Sequence, residues 1–150
     1  MVDKVERERY FYFVKWRIMR YGMLRFMNLT KALSDQNRVR ILLALNAKEE
    51  LCVCHINDML ELAPSTVSKH LFLLRNALLV KARKDGRWMH YRLNTGSETP
   101  EFVAQALEWT LKAVGDDPVI QADRNRLENI LSFSMEAADT RGPCLAKSRV

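Results

Sequence analysis

The chain has 150 residues, about half of them apolar, with five Gly and four Pro, which bounds it to one globular, helix-rich domain and excludes a disordered one. Its 24 Lys and Arg against 18 Asp and Glu leave a net charge of +6, and three cysteines are too few and too odd in number for a disulfide framework. That cysteine usage points to a reducing, cytoplasmic setting. The early apolar run YFYFVKWRIMRYGMLRFM is interrupted by Lys15, Arg17, Arg20 and Arg25, so no membrane span or signal peptide is expected.

Residues 1–27 read as a basic, aromatic extension, with Tyr10, Phe13, Val14, Trp16 and Ile18 on a candidate amphipathic helix. Met23 and Met27 would equally serve as internal starts, making it a leader. From residue 28 the signals sharpen. Asp35 is placed to N-cap QNRVRILLALNA, in which Val39, Leu42, Leu43 and Leu45 form a buried stripe. VCHINDMLEL forms a second short helix facing Ile56, Met59 and Leu60 inward. In APSTVSKHLFLLRNALLV, Pro64 suits a first helical turn, and Val67, Leu71 and Leu74 share one apolar face. Ser65, Thr66, Ser68, Lys69 and His70 lie opposite.

The period then shifts to two. LVKARKD-GR-WMHYRL predicts strand, tight turn at Asp85-Gly86 and strand, with Trp88, His90 and Arg92 on one side and Met89, Tyr91 and Leu93 on the other. Pro100 opens a helix over EFVAQALEWTLKAV, with Phe102, Ala106 and Trp109 on one stripe. Gly115-Asp116-Asp117-Pro118 ends it, and VIQADRNRLENILSFSM forms the last helix, with a flexible tail over 137–150.

Charge follows this division. Residues 63–93 hold seven basic residues against Asp85 alone, whereas 94–150 hold six basic and nine acidic. Two helices, a polar-faced helix and a basic hairpin, in that order, predict a mainly α, winged helix-turn-helix that binds double-stranded DNA. The polar face would enter the major groove, with Lys84, Arg87 and Arg92 of the hairpin on flanking phosphates. The plain alternative is a solvated helix face on an interaction domain.

Three segments, LTKALSDQNRVRILLAL, ELCVCHI and LAPSTVSKHLFLLRNALLVKARKDGRWMHYRL, resemble the successive signatures of the ArsR/SmtB family of metal-responsive repressors, across residues 28–94. The resemblance implies a homodimeric winged-helix repressor that holds operator DNA without metal and releases it when metal binds. It divides the chain into a DNA-binding domain at 28–94 and dimerisation helices at 95–136. Phe102, Leu107, Trp109 and Leu111 would then meet a partner copy.

Cys52 and Cys54 stand one residue apart beside His55. Thiolates are soft ligands that select thiophilic ions, and a helix start would lower a thiol pKa. In the resembling family ELCVC is the motif for arsenite and antimonite, As(III) and Sb(III). Family members often add a cysteine three positions later, where this chain has Asn57. Either two thiolates suffice, or Cys144 reaches in from the tail, or His55 joins if the ion is zinc or cadmium. A thiol redox or reactive-sulfur switch on the same pair is the competing reading, although a disulfide across one residue closes a strained ring. Adjacent Cys54 and His55 diverge by about 100° on a helix, which argues against a nucleophile–base pair and against an enzyme. Residues 100–115 contain no histidine, so the family's other metal site is not expected.

Overall fold

The structure, a computed structural model, describes residues 22–141, with side chains through residue 134. Helix α1 occupies 22–33. It is followed by α2 (Gln36–Ala47), β1 (Leu51–Cys52), α3 (Val53–Leu60), α4 (Pro64–Asn76), β2 (Val80–Asp85), β3 (Trp88–Leu93), α5 (Glu101–Val114) and α6 (Pro118–Arg141). This is the expected mainly helical, winged helix-turn-helix fold. Among the described residues, no helix is long and apolar enough to cross a membrane. The expected aromatic helix at Tyr10–Ile18 and Cys144 both lie outside the described residues.

Helix α2 starts as its sequence predicts: the Asp35 carboxylate accepts from the Arg38 amide at 3.0 Å. Its burial differs from a stripe. Ile41, Leu42, Leu43, Ala44 and Leu45 are all buried, while Val39 is only half-buried. The helix packs against α4, β3, α5 and α6, so its middle turn, residues 41–45, is covered all round while its ends reach water. Helices α3 and α4 keep the predicted faces, with Ile56, Met59, Val67, Leu71 and Leu74 fully buried. Each such side chain contributes about 1.5–3 kcal/mol through burial.

The hairpin closes through Gly86 and Arg87, one residue later than expected, because Asp85 still pairs with Trp88. Gly86 has φ +57° and Arg87 does not share a positive φ, the pattern of a type II′ turn, which needs glycine at its first position. Tyr91 and Leu93, on the same side, as the alternation predicts, are the residues of β3 buried in the core. A third strand was not expected. Leu51 and Cys52 pair antiparallel with Tyr91 and His90, giving the order β1-β3-β2. Two residues carry no periodicity of their own; β3 recruits them.

Within this chain, helix α5 does not bury the predicted stripe. Its buried residues are Val103, Leu107 and Thr110, whereas Phe102 and Trp109 face outward. Helix α6 runs to Arg141, past Ala137 where the tail was expected to begin. It packs on α2 and α3, burying Ile120 and Leu127. A two-pronged ion pair fastens it there: Arg40 donates from Nε and Nη2 to Asp123, both at 2.7 Å, with the side chains 17% and 7% exposed.

Candidate nucleic-acid interface and sulfur pair

Pro64 opens α4 without needing a hydrogen-bond partner, and the 3.6-residue repeat then splits its side chains. Val67, Leu71 and Leu74 enter the core; Ser65, Ser68 and Lys69 are exposed, and Thr66 is half-buried. His70 departs from this face. Its side chain is 13% exposed, with Nδ1 3.8 Å from Asp35 Oδ1 and 3.5 Å from the Arg38 guanidinium. Position 70 borders the buried stripe, so the ring turns to the α1–α2 corner rather than to water. Arg38 closes that corner by donating to the carbonyls of Ala32 at 2.7 Å and Lys31 at 2.8 Å. Sequence reasoning found the Asp35 cap but not this pairing with His70, which joins residues 35 positions apart.

The wing extends the cationic surface. Lys84 and Arg87 are exposed at its tip and Arg92 on its outer side. Arg83, also on the wing, is already engaged: it donates to Glu50 at 2.6 and 3.3 Å and to Asp85 at 3.2 Å. These bonds hold the Glu50 carboxyl below the usual carboxylate range, with burial opposing and the charges of Arg83, His90 and Arg92 assisting. They also raise the Arg83 guanidinium. Behind the wing, a cleft of about 760 Å³ is lined by Arg75, Lys81, Arg83 and Arg92, with Glu50 as its acidic member.

Cys52 belongs to two elements. It is the last residue of β1, opposite His90 of the wing, and it also N-caps α3. Cys54 lies in the first turn of α3, with its sulfur 3.0 Å from that of Cys52. This is a contact, longer than a sulfur–sulfur bond of about 2.05 Å. Burial pushes the Cys52 thiol up, and backbone hydrogen bonds from Cys54 and Val53 offset this only in part. The expected lowering by the helix start is therefore corrected for Cys52, because enclosure outweighs the local amide field.

Cys52 is a thiol whereas Cys54 is disulfide-bonded, so Cys54 must first be reduced; two thiols at this spacing would then suit one thiophilic ion. Bonds of about 2.3 Å to a tetrahedral centre would set them about 3.8 Å apart, an opening of less than 1 Å. Among the described residues, no cluster of three His, Cys, Asp or Glu side chains forms, so His55, itself buried in α3, is not gathered with the sulfur pair. Asn57 stands one turn beyond Cys54; its Oδ1 is buried and accepts no hydrogen bond among the described residues.

On α5, the residues expected to meet a second copy divide. Trp109 is 68% and Phe102 36% exposed, Leu111 is half-buried against the core, and Leu107 is 3% exposed. Leu107 is spent on this chain's own core and is not available to a partner. Met23, Leu24, Phe26 and Met27 on α1 are also exposed; the sequence marks Met23 and Met27 only as candidate starts.

Residues 35–82 match the sequence pattern of the arsR family of bacterial regulatory proteins. The chain is 43% identical over 82 residues to the arsenical resistance operon repressor of Escherichia coli, covering 55% of this chain and 68% of that one. It is 37% identical over 83 residues to an arsenic resistance transcriptional regulator of Pseudomonas putida, covering 55% of this chain and 63% of that relative. It is 44% identical over 78 residues to a cadmium resistance regulatory protein homolog of Staphylococcus aureus, covering 52% and 60%. Among solved structures, HlyU from Vibrio cholerae superposes with a TM-score of 0.52 at 28% identity, covering 63% of this chain and 97% of that one.

Proposed function

This chain belongs to the arsR family of bacterial regulatory proteins, transcriptional regulators rather than enzymes, and from that premise we propose that it is a repressor released from operator DNA by a thiophilic metalloid bound at Cys52 and Cys54. Ser65, Thr66, Ser68 and Lys69 read the major groove, and Lys84, Arg87 and Arg92 hold flanking phosphates. Two copies assemble through the exposed Phe102 and Trp109, with Leu111 at the edge, and present two α4 helices to a two-fold site. The domain division follows: residues 28–94 bind DNA, while residues 95–136, holding α5 and most of α6, carry the partner surface.

The observation that carries the release step is the double membership of Cys52. Its backbone is hydrogen-bonded into the wing strand β3 while it caps α3, the helix that precedes the reader. Drawing both sulfurs onto one centre shifts the start of α3 and the base of the wing together. A ligand that favours the shifted arrangement necessarily weakens binding by the unshifted one. Arsenite and antimonite suit a thiolate pair, and the two arsenic-resistance relatives support that choice of effector.

A second reading has one observation in its favour. The oxygen of Asn57, buried one turn from Cys54, replaces a soft third ligand with a harder one, and the Staphylococcus relative is a cadmium resistance regulator. On this reading the effector is a divalent ion such as cadmium, lead or zinc.

Fluorescence anisotropy on the DNA upstream of the gene, titrated separately with arsenite, antimonite, cadmium, zinc and peroxide, separates these. Arsenite or antimonite is expected to release wild-type protein. Cys52→Ser and Cys54→Ser should each keep DNA affinity within about twofold and lose release. Release that persists in either variant overturns the ligand assignment. Release by peroxide alone replaces it with a redox switch.

A further inference from the structure

The outer face of α4 carries one residue that the DNA-binding reading has not used. Phe72 is 62% exposed, although α4 spends its other large apolar side chains on the core or at its margin. With about 100° between successive residues, Phe72 lies about 20° from Ser65, 40° from Ser68 and 60° from Lys69 around the helix. Val67 and Leu74, both fully buried, are on the far side. The phenyl ring therefore stands in the middle of the small, polar and cationic face. Leu73, 44% exposed, is about 100° round and sits at the margin beside Thr66.

The chemistry of this neighbourhood selects an occupant. Helix α4 has no acidic residue, its face is flanked by the cationic wing, and Ser65 and Ser68 leave the helix backbone free to approach a groove closely. A polyanion with an apolar spot recessed among polar edges fits that pattern. In duplex DNA the apolar spot of the major groove is the thymine 5-methyl group. We infer that Phe72 is a specificity-determining residue: its ring packs on the methyl of one thymine in each half-site and so selects thymine over cytosine there. This rests on the proposal that α4 reads DNA, and the experiment below separates the two.

The full-length chain is used to select bound duplexes from a random library. Each thymine of the enriched site is then replaced, one at a time, by deoxyuridine, which keeps base pairing and removes only the methyl. One position per half-site should weaken wild-type binding about four- to tenfold. Phe72→Ala should be indifferent to that same replacement, with its salt dependence unchanged, because no phosphate contact is lost. Phe72→Leu should recover part of the methyl dependence. The inference is overturned if no thymine shows a methyl effect with wild type, or if Phe72→Ala retains the wild-type effect at every position. Failure to enrich any sequence overturns the DNA-reading proposal itself.

Discussion

Helices α3 and α4 follow one another and share a core, yet they dispose of their polar groups in opposite ways. Around α3 the chemistry is inside: Cys52, His55 and the Asn57 oxygen are buried, and α6 lies across the helix. Arg126 of α6 ties it further, donating to the Met59 carbonyl at 3.3 Å and pairing with Glu61 at 2.7 Å. On α4 the chemistry is outside: Ser65, Ser68, Lys69 and Phe72 face water. A ligand captured among enclosed groups must displace close-packed neighbours, whereas one met by an exposed face need move nothing. The difference fits the proposal that the first helix senses and the second reads.

The largest effect is expected from uncovering α3. Asp123→Ala leaves the half-buried Arg40 guanidinium without its carboxylate, still held by Asn37, and should cost about 1.5–3 kcal/mol in denaturant unfolding. A loss under about 1 kcal/mol would mean that α6 is only loosely seated, and the contrast between enclosed and open helices would fail.

The pH dependence of the sulfur site sharpens the contrast next. Burial raises the Cys52 thiol, so its protonated form predominates below that raised value. Thiolate is the ligand form, and effector affinity should rise with pH by up to about tenfold per unit for each proton displaced. The sign for stability is the reverse. A raised thiol pKa contributes stability that is complete below the unfolded value and lost as pH climbs through the folded one. Titrations of effector-driven release between about pH 6.5 and 8.5 measure the first effect. A flat profile, or one that Cys52→Ser leaves unchanged, would remove Cys52 from the site.

The open side should answer more modestly and to salt instead. Lys69→Ala and Arg87→Ala are each expected to weaken DNA binding about fivefold and to flatten the salt slope by about one unit, with folding untouched. Unchanged affinity with both removed would displace the reader and the wing together.

Much of this was legible in the chain. Asp35 announced the start of α2 through its capping oxygen, Pro64 the start of α4, and the 67–71–74 spacing its buried face. These are local effects, carried by neighbours within one or two turns. Leu107 was misplaced because a helix with apolar residues on several sides offers more than one plausible stripe. Which stripe is buried depends on what packs against it. His70 was misread for the same reason, since Asp35 and Arg38 reach it from another helix.

By itself, the order of residues determined the helix starts, the switch to alternating strands at the wing, the concentration of positive charge in 63–93 and the pairing of two thiols in one short stretch. All of these depend on interactions between residues near in sequence. Only the tertiary structure decided that Cys52 belongs to the wing sheet as well as to α3, that its thiol is enclosed, and that α6 rather than water covers that helix. Burial and strand pairing are properties of what surrounds a residue, and those surroundings are assembled from segments dozens of positions away.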